Sequence, residues 1–185
     1  MSKGKLIVIS GASGVGKSTV LSKVMEARDD LKFSVSATTR APRPGEVDGK
    51  SYYFVTKEHF QEMIDNKAFL EYDAHMSNFY GTPREQALEK MEDGHVLLDI
   101  EPKGAAQVRE AMPDATLIFI MPPSEEELAN RLIKRGDTSA EQMKIRLDRA
   151  RWEMAQSEWY DHVVTNDDAD RCAQEILKII ADEAK

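Results

Sequence analysis

The chain of 185 residues contains one cysteine, Cys172, which excludes an internal disulfide. It has no apolar run near the roughly 20 residues that a membrane span requires. It also lacks a surplus of positive charge: 25 Lys and Arg stand against 33 Asp and Glu, giving a formal net charge of -8 and a pI near 5.1. Coating nucleic acid or an anionic membrane takes a broad basic surface, so neither is expected as a partner, and any anion site has to be local. The four histidines have no metal-ligand spacing. No repeat, low-complexity stretch or linker divides the chain. With 41% hydrophobic residues it has enough apolar side chain for one core, so a folded domain is expected. The N-terminal MSKGKLIVIS carries an apolar run too short for a secretory signal and no cleavage site, so a cytoplasmic, reducing setting is expected.

Short apolar runs alternate with helical patterns. KLIVIS (5–10) reads as a strand ending in glycine, and KSTVLSKVMEA after it reads as a helix with Val20, Leu21, Val24 and Met25 on one side. FSVS (33–36), HVLLDI (95–100), TLIFIM (116–121) and HVVT (162–165) read as buried strands, with shorter ones at 52–55 and 69–74. Continuous apolar strands separated by helices predict an α/β fold with a parallel sheet covered on both faces. Ser124 with Glu127 and Ser139 with Gln142 have capping-box form, and Gly94 and Gly136 read as helix stops. Trp152 and Trp159 fall on one helical face and are expected to pack, and Cys172, four before Ile176, reads as a buried thiol. Residues 38–92, inserted between early and central strands, read as a small substrate-binding lobe.

The strongest chemical signal is GASGVGKS (11–18), which fits G-x-x-x-x-G-K-[ST] between a predicted strand and a predicted helix. Glycines let backbone N–H groups converge on phosphate oxygens, and the helix N-terminus adds its dipole. Gly11, Ala12, Ser13, Gly14, Val15, Gly16, Lys17, Ser18 and Thr19 are therefore the expected nucleotide cradle, with Lys17 on the β- and γ-phosphates and Ser18 on Mg²⁺. Asp99, the acid closing HVLLDI, is the second expected metal contact.

P-loops serve ATPases, GTPases and kinases. TNDD (165–168) lacks the lysine of the N-K-x-D motif that reads guanine in GTPases. A kinase acting on a phosphorylated acceptor needs a second anion site and several cations, and no strong general base, because an ionised phosphate is already a nucleophile. TTRAPRPGEVDGKSYYF (38–54) meets that need. Arg40 and Arg43 stand three apart in a stiff Pro-rich loop, and Tyr52 offers a phenolic hydrogen bond.

That segment resembles the guanylate kinase signature through Thr39, Arg40, Arg43, Glu46, Gly49, Tyr52 and Phe54. The similarity extends over FLEYDAHMSNFYGT (69–82), LLDIEPKGA (97–105), IMPPS (120–124), RLIKRG (131–136) and VVTNDDAD (163–170). The resemblance implies transfer of phosphate from ATP to GMP, and by extension dGMP, giving GDP and ADP. The implied fold is a P-loop three-layer core (1–37, 93–130 and 159–185), a GMP-binding lobe (38–92) and a helical lid (131–158). It places Arg40, Arg43, Tyr52 and Tyr80 on the GMP phosphate, and Ser36, Glu71 and Thr82, with Gly81 beside them, on guanine. Arg131, Arg135 and Arg146 would close over the ATP phosphates, Lys17, Arg40, Arg135 and Arg146 being the catalytic set, and Asn166 would meet the adenine. Glu101 stands where the family usually has aspartate, near the acceptor; Pro102, Lys103 and Ser77 are further departures. Arg149 and Arg151 match no family lid position and read as solvated helix cations.

Guanine's edge offers two donors, N1–H and the N2 amino group, beside the O6 acceptor. A carboxylate such as Glu71 accepts both donors, whereas adenine would turn its N1 lone pair toward that carboxylate. Two other readings remain: a non-catalytic guanylate-kinase-like module that binds phosphorylated proteins, and a P-loop kinase for another nucleoside monophosphate. The intact P-loop weighs against the first and Glu71 against the second. A monomer or small homo-oligomer is expected.

Overall fold

In the computed structural model the described residues are 4–75, 77–134 and 140–183. In chain order the elements are β1 (Leu6–Gly11), α1 (Lys17–Glu26), β2 (Leu31–Phe33), β3 (Ala37–Thr38), β4 (Tyr53–Phe54), α2 (Lys57–Asp65), β5 (Phe69–His75) and β6 (Asn78–Pro83). There follow α3 (Arg84–Lys90), β7 (His95–Asp99), α4 (Pro102–Ala111), β8 (Thr116–Met121), α5 (Glu125–Lys134), α6 (Ala140–Ala155), a 3-10 turn (Gln156–Trp159), β9 (His162–Thr165) and α7 (Ala169–Glu183). The fold is α/β, and the chain divides into two compact units.

The first unit comprises Met1–Leu6, Asp30–Leu98 and Lys103–Ala115. Within it β2 runs parallel to β7, Leu31 facing His95. A separate four-stranded sheet has the order β4-β3-β6-β5, with β5 and β6 antiparallel. That small sheet has its own apolar cluster: Ala37, Phe60 and Phe69 are buried, and Tyr53, Val55, Met63, Ile64 and Phe79 pack on them. The Phe60 ring stacks on Phe69 at 4.5 Å and on Phe79 at 5.5 Å. Thr56 caps α2 by accepting the His59 N–H.

The second unit comprises Ile7–Asp29, Asp99–Pro102 and Thr116–Lys185. Here β8 pairs in parallel with β1 on one side and β9 on the other. Ile7, Val8 and Ile9 and the run Leu117–Ile120 are fully buried, as the continuous apolar runs predict. α1 packs against α7, burying Val20, Leu21 and Val24 on one helix and Cys172, Ala173, Ile176 and Ile180 on the other. Burial pushes the Cys172 thiol up to about 11, so it is inert at neutral pH. Ser124 accepts the Glu127 N–H at 3.1 Å and starts α5 as expected.

Four local expectations shift. The strand expected at 33–36 lies instead at Leu31–Phe33, because its ladder to β7 fixes the register; Phe33 is exposed at 40%, so its apolar character misleads. β6 carries no apolar alternation and is held by its hairpin with β5, in which Ser77 adopts φ 142°, a conformation that costs a residue with a Cβ more than glycine. α3 ends at Lys90, capped by Met91, so Gly94 belongs to the loop entering β7. Trp152 is exposed, and Trp159, in the 3-10 turn, packs on Tyr160 at 4.4 Å. Gly136 and Ser139 lie outside the described residues. Among the described residues no helix is long and apolar enough to cross a membrane.

Candidate active site

In the second unit, β1 delivers the chain to Gly11 and α1 opens at Lys17. The turn between them requires glycine twice. Gly14 and Gly16 have φ of 86° and 91°, and a Cβ would stand 2.6 Å from Leu132 Cδ2 at Gly14 and 2.9 Å from Asn166 Nδ2 at Gly16. Val15 N–H closes the turn on the Ala12 carbonyl at 3.0 Å. No side chain caps α1 at Gly16, so the first-turn N–H groups are left for an anion. The Lys17 ammonium forms an ion pair with Asp99 at the end of β7. Ser18 and Thr19 are exposed.

Three side chains brace this loop. Arg131 donates to the Val15 carbonyl at 3.0 Å, to the Asn166 carbonyl at 3.2 Å and to Glu127 at 3.0 Å. Buried Asn166 donates from Nδ2 to the same Val15 carbonyl at 2.8 Å, so the residue expected at adenine is already engaged with the loop. Glu153, on α6, accepts the Ser13 N–H at 2.8 Å and the Arg149 Nε–H at 3.1 Å. Arg149 also pairs with Glu101. Arg146 is exposed on α6, and Arg135 lies outside the described residues. Arg151 pairs with Glu125 and Asp148 in solvent, as read; Arg149 does not fit that reading, because one of its partners is buried. The sequence offered only an Arg and a Glu four apart on a helix, the ordinary pattern of a solvated pair.

In the first unit, Glu71 on β5 faces Thr82 on β6, and both are buried. The Thr82 hydroxyl donates to Glu71 Oε1 at 2.6 Å, so its proton is committed to the carboxylate. Burial raises the Glu71 pKa above the ordinary carboxylate value, and hydrogen bonds from Thr82 only partly offset this. Gln107, from α4, accepts the Tyr72 N–H at 3.1 Å and donates to the Tyr72 carbonyl at 2.9 Å, clamping β5 beside Glu71. Ser36, half-buried, accepts the Tyr53 N–H on its carbonyl at 2.9 Å. Gly81 is buried next to Thr82.

The arginine loop lies in the same unit. Thr38 and Thr39 tie it to β6: the Thr38 hydroxyl donates to the Phe79 carbonyl at 3.0 Å, and Phe79 N–H donates to the Thr39 hydroxyl at 3.0 Å. Arg40 grips Glu46 through both terminal nitrogens, at 2.8 and 2.9 Å. Its guanidinium lies 5.2 Å from the Tyr52 ring centre, and Tyr52 meets Tyr80 edge-on at 6.1 Å. Glu46 also accepts the Arg43 N–H at 2.7 Å, while Arg43 itself is exposed. The bidentate fork that Arg40 gives Glu46 is the geometry in which a guanidinium binds phosphate.

The Arg40 hydrogen bond, helped by the Arg43 N–H, pulls the Glu46 pKa down to about 2. A carboxylate lowered in this way stabilises the fold fully above its ordinary value of 4.5 and loses that contribution as pH falls toward 2. The melting-temperature difference between wild type and Glu46→Gln is therefore expected to hold steady above about pH 5 and to shrink below it. Thermal unfolding across a pH series measures it.

The first unit gathers Ser36, Arg40, Arg43, Tyr52, Glu71, Tyr80, Gly81 and Thr82, and the second the loop 11–19 with Asp99, Arg131, Arg146 and Asn166; Glu101, expected near the acceptor, falls in the second unit instead. A sequence-family model described as guanylate kinase matches residues 3–183. A guanylate kinase from Prochlorococcus marinus subsp. pastoris is 48% identical over 177 residues, covering 95% of this chain and 96% of its own. The crystal structure of guanylate kinase from Anaplasma phagocytophilum superposes with a TM-score of 0.75 at 36% identity, covering 100% of this chain and 88% of that one. The SH3-kinase fragment of tight junction protein 3, at 13% identity and a TM-score of 0.51, shares the fold alone, over 99% of this chain and 58% of its own. With the family model matching residues 3–183 and a relative 48% identical over nearly the whole of both chains, the chain belongs to the guanylate kinase family.

Proposed function

We propose that this chain transfers the γ-phosphoryl group of ATP to GMP, and by extension to dGMP, releasing ADP and the nucleoside diphosphate. The observation that carries the choice of acceptor is the buried Glu71 carboxylate with Thr82 donating to it at 2.6 Å. Held this way, the carboxylate keeps lone pairs for the N1–H and N2 amino donors of guanine. The Thr82 proton being committed, Ser36 supplies the hydroxyl for O6. Arg40, Arg43, Tyr52 and Tyr80 bind the acceptor phosphate, with Glu101 on the acceptor side.

An oxygen of the ionised GMP phosphate attacks Pγ, and the bond from Pγ to the β,γ-bridging oxygen breaks, leaving its electron pair on ADP. No proton needs to be removed from the nucleophile. Lys17 and the N–H groups of residues 16–19 hold the β- and γ-phosphates, and Arg40, Arg135 and Arg146 stabilise the charge that develops during transfer. The hydroxyl of Ser18 and the carboxylate of Asp99 are hard oxygen donors of the kind Mg²⁺ takes, and among the described residues no group of three acids, histidines or cysteines could cage a metal alone. Mg²⁺ held there with ATP neutralises phosphate charge. Asn166 and Arg131 complete the ATP side.

Residues 38–92 serve as the GMP lobe, 131–158 as the lid and the remainder as the core. The net charge of -8 supports small nucleotides rather than nucleic acid or membrane as partners. A cytoplasmic monomer or small homo-oligomer fits that composition. A coupled assay with ATP and Mg²⁺ against GMP, AMP, CMP and UMP tests the reading. GMP is expected to be turned over in strong preference, and equal turnover of AMP overturns it.

A further inference from the structure

We propose that Glu153 is a positioning residue of the phosphate-binding loop: its carboxylate holds the Ser13 peptide, so that the loop is already set when the donor's phosphates arrive. The inference rests on the reading of 11–19 as the ATP loop. Glu153 is only 3% exposed, and a buried carboxylate persists only where hydrogen bonds and a counter-charge hold it. Both of its oxygens are used. Oε2 accepts the Ser13 N–H at 2.8 Å and Oε1 accepts the Arg149 Nε–H at 3.1 Å.

Ser13 directly precedes Gly14, the first of the two left-handed glycines. Holding its N–H fixes the plane of the Ala12–Ser13 peptide, from which the turn departs. A glycine-rich loop loses more conformational freedom on ordering than any other, and ordering it before ATP binds removes that cost from binding. The remaining braces act elsewhere on the loop, since Arg131 and Asn166 both hold the Val15 carbonyl. Glu153 alone among these reaches the Ser13 N–H.

A carboxylate beside a phosphate site is electrostatically adverse unless it is neutralised. Arg149 supplies the counter-charge, and its second partner is Glu101, two residues beyond Asp99. Charge on α6 is thereby balanced between the loop and the segment that carries the metal-side acid, which gives Arg149 a role that its place on a charged helix conceals.

The test uses the full chain. ATP and GMP are titrated separately by calorimetry, and deuterium exchange at the Ser13 amide is followed without nucleotide, in wild type, Glu153→Ala and Glu153→Gln. Loss of a hydrogen bond to a charged acceptor predicts that Glu153→Ala weakens ATP about tenfold or more, leaves GMP unchanged and speeds Ser13 exchange by a similar factor. Glutamine keeps one acceptor oxygen for the Ser13 N–H but turns its NH2 toward the Arg149 Nε–H, so Glu153→Gln falls between wild type and alanine in both readouts. The inference is overturned if ATP affinity or Ser13 exchange is unmoved in Glu153→Ala. It is also overturned if GMP weakens as much as ATP, or if glutamine falls as far as alanine. Should wild type bind no ATP, the nucleotide reading fails, and the exchange rates still decide whether Glu153 holds Ser13.

Discussion

Replacing Lys17 with alanine is expected to lower turnover of GMP with ATP by about a hundredfold to a thousandfold while the chain stays folded. Lys17 is the first residue of α1, and its charge meets Asp99 rather than any core atom. The pair is partly solvated, with side-chain exposures of 21% and 39%, so its loss costs the fold little. In the reaction the same ammonium faces charge accumulating on the β- and γ-phosphates, and an interaction strengthened in the transition state is lost from kcat. A coupled assay beside a thermal melt decides the matter: near-normal turnover with an intact melt would remove residues 11–19 from the phosphate site.

The second large effect is one of choice between bases. Glu71→Gln is expected to cut kcat/KM for GMP by about tenfold to a hundredfold and to narrow the gap to AMP. An amide presents one acceptor and one donor, and its donor confronts a guanine N–H; adenine, with an acceptor at N1 and a donor at N6, suits it better. Wild type should carry a pH signature of the same group. Burial raises the Glu71 pKa, so GMP affinity falls on acidification sooner than an ordinary carboxylate would dictate, and Glu71→Gln lacks that limb. The stability effect has the opposite sign to that of Glu46: ionised Glu71 costs the empty fold free energy, and the cost is relieved as pH drops through its raised value. Calorimetric titration of GMP across pH in both proteins measures the difference.

What the sequence reveals and what it hides differ in kind. The P-loop is legible because its glycines are needed by the backbone itself, and TLIFIM is legible because a strand covered on both faces admits little else; HVVT forms β9 where expected but is not the buried strand it reads as, since Val163 is 47% exposed and only Val164 is buried. The arginine loop and Glu71 are picked out by resemblance and by the complementarity of guanine to a carboxylate, and the structure adds the burial of Glu71 against Thr82 and the Arg40–Glu46 pair. β6 is hidden because its formation depends on its partner β5 rather than on its own residues, and Gln107 because a side-chain amide pairing with a strand's backbone leaves no periodic trace. Glu153 is hidden for a sharper reason: an acid on a charged helix reads as solvated until the fold buries it at 3% exposure.

Arg40 and Glu46 also determine what the acceptor loop ignores. A guanidinium forked onto a carboxylate is close to neutral as a unit, so Arg40 adds little long-range pull on small anions beyond that of the exposed Arg43. An inorganic phosphate arriving there must compete with Glu46 using only its own oxygens. A nucleotide brings a base that Glu71 can hold at the same time, and its phosphate then competes at the high local concentration that tethering provides. On the proposed assignment the internal ion pair would act as a threshold, one that a single-point ligand fails to cross and a two-point ligand crosses.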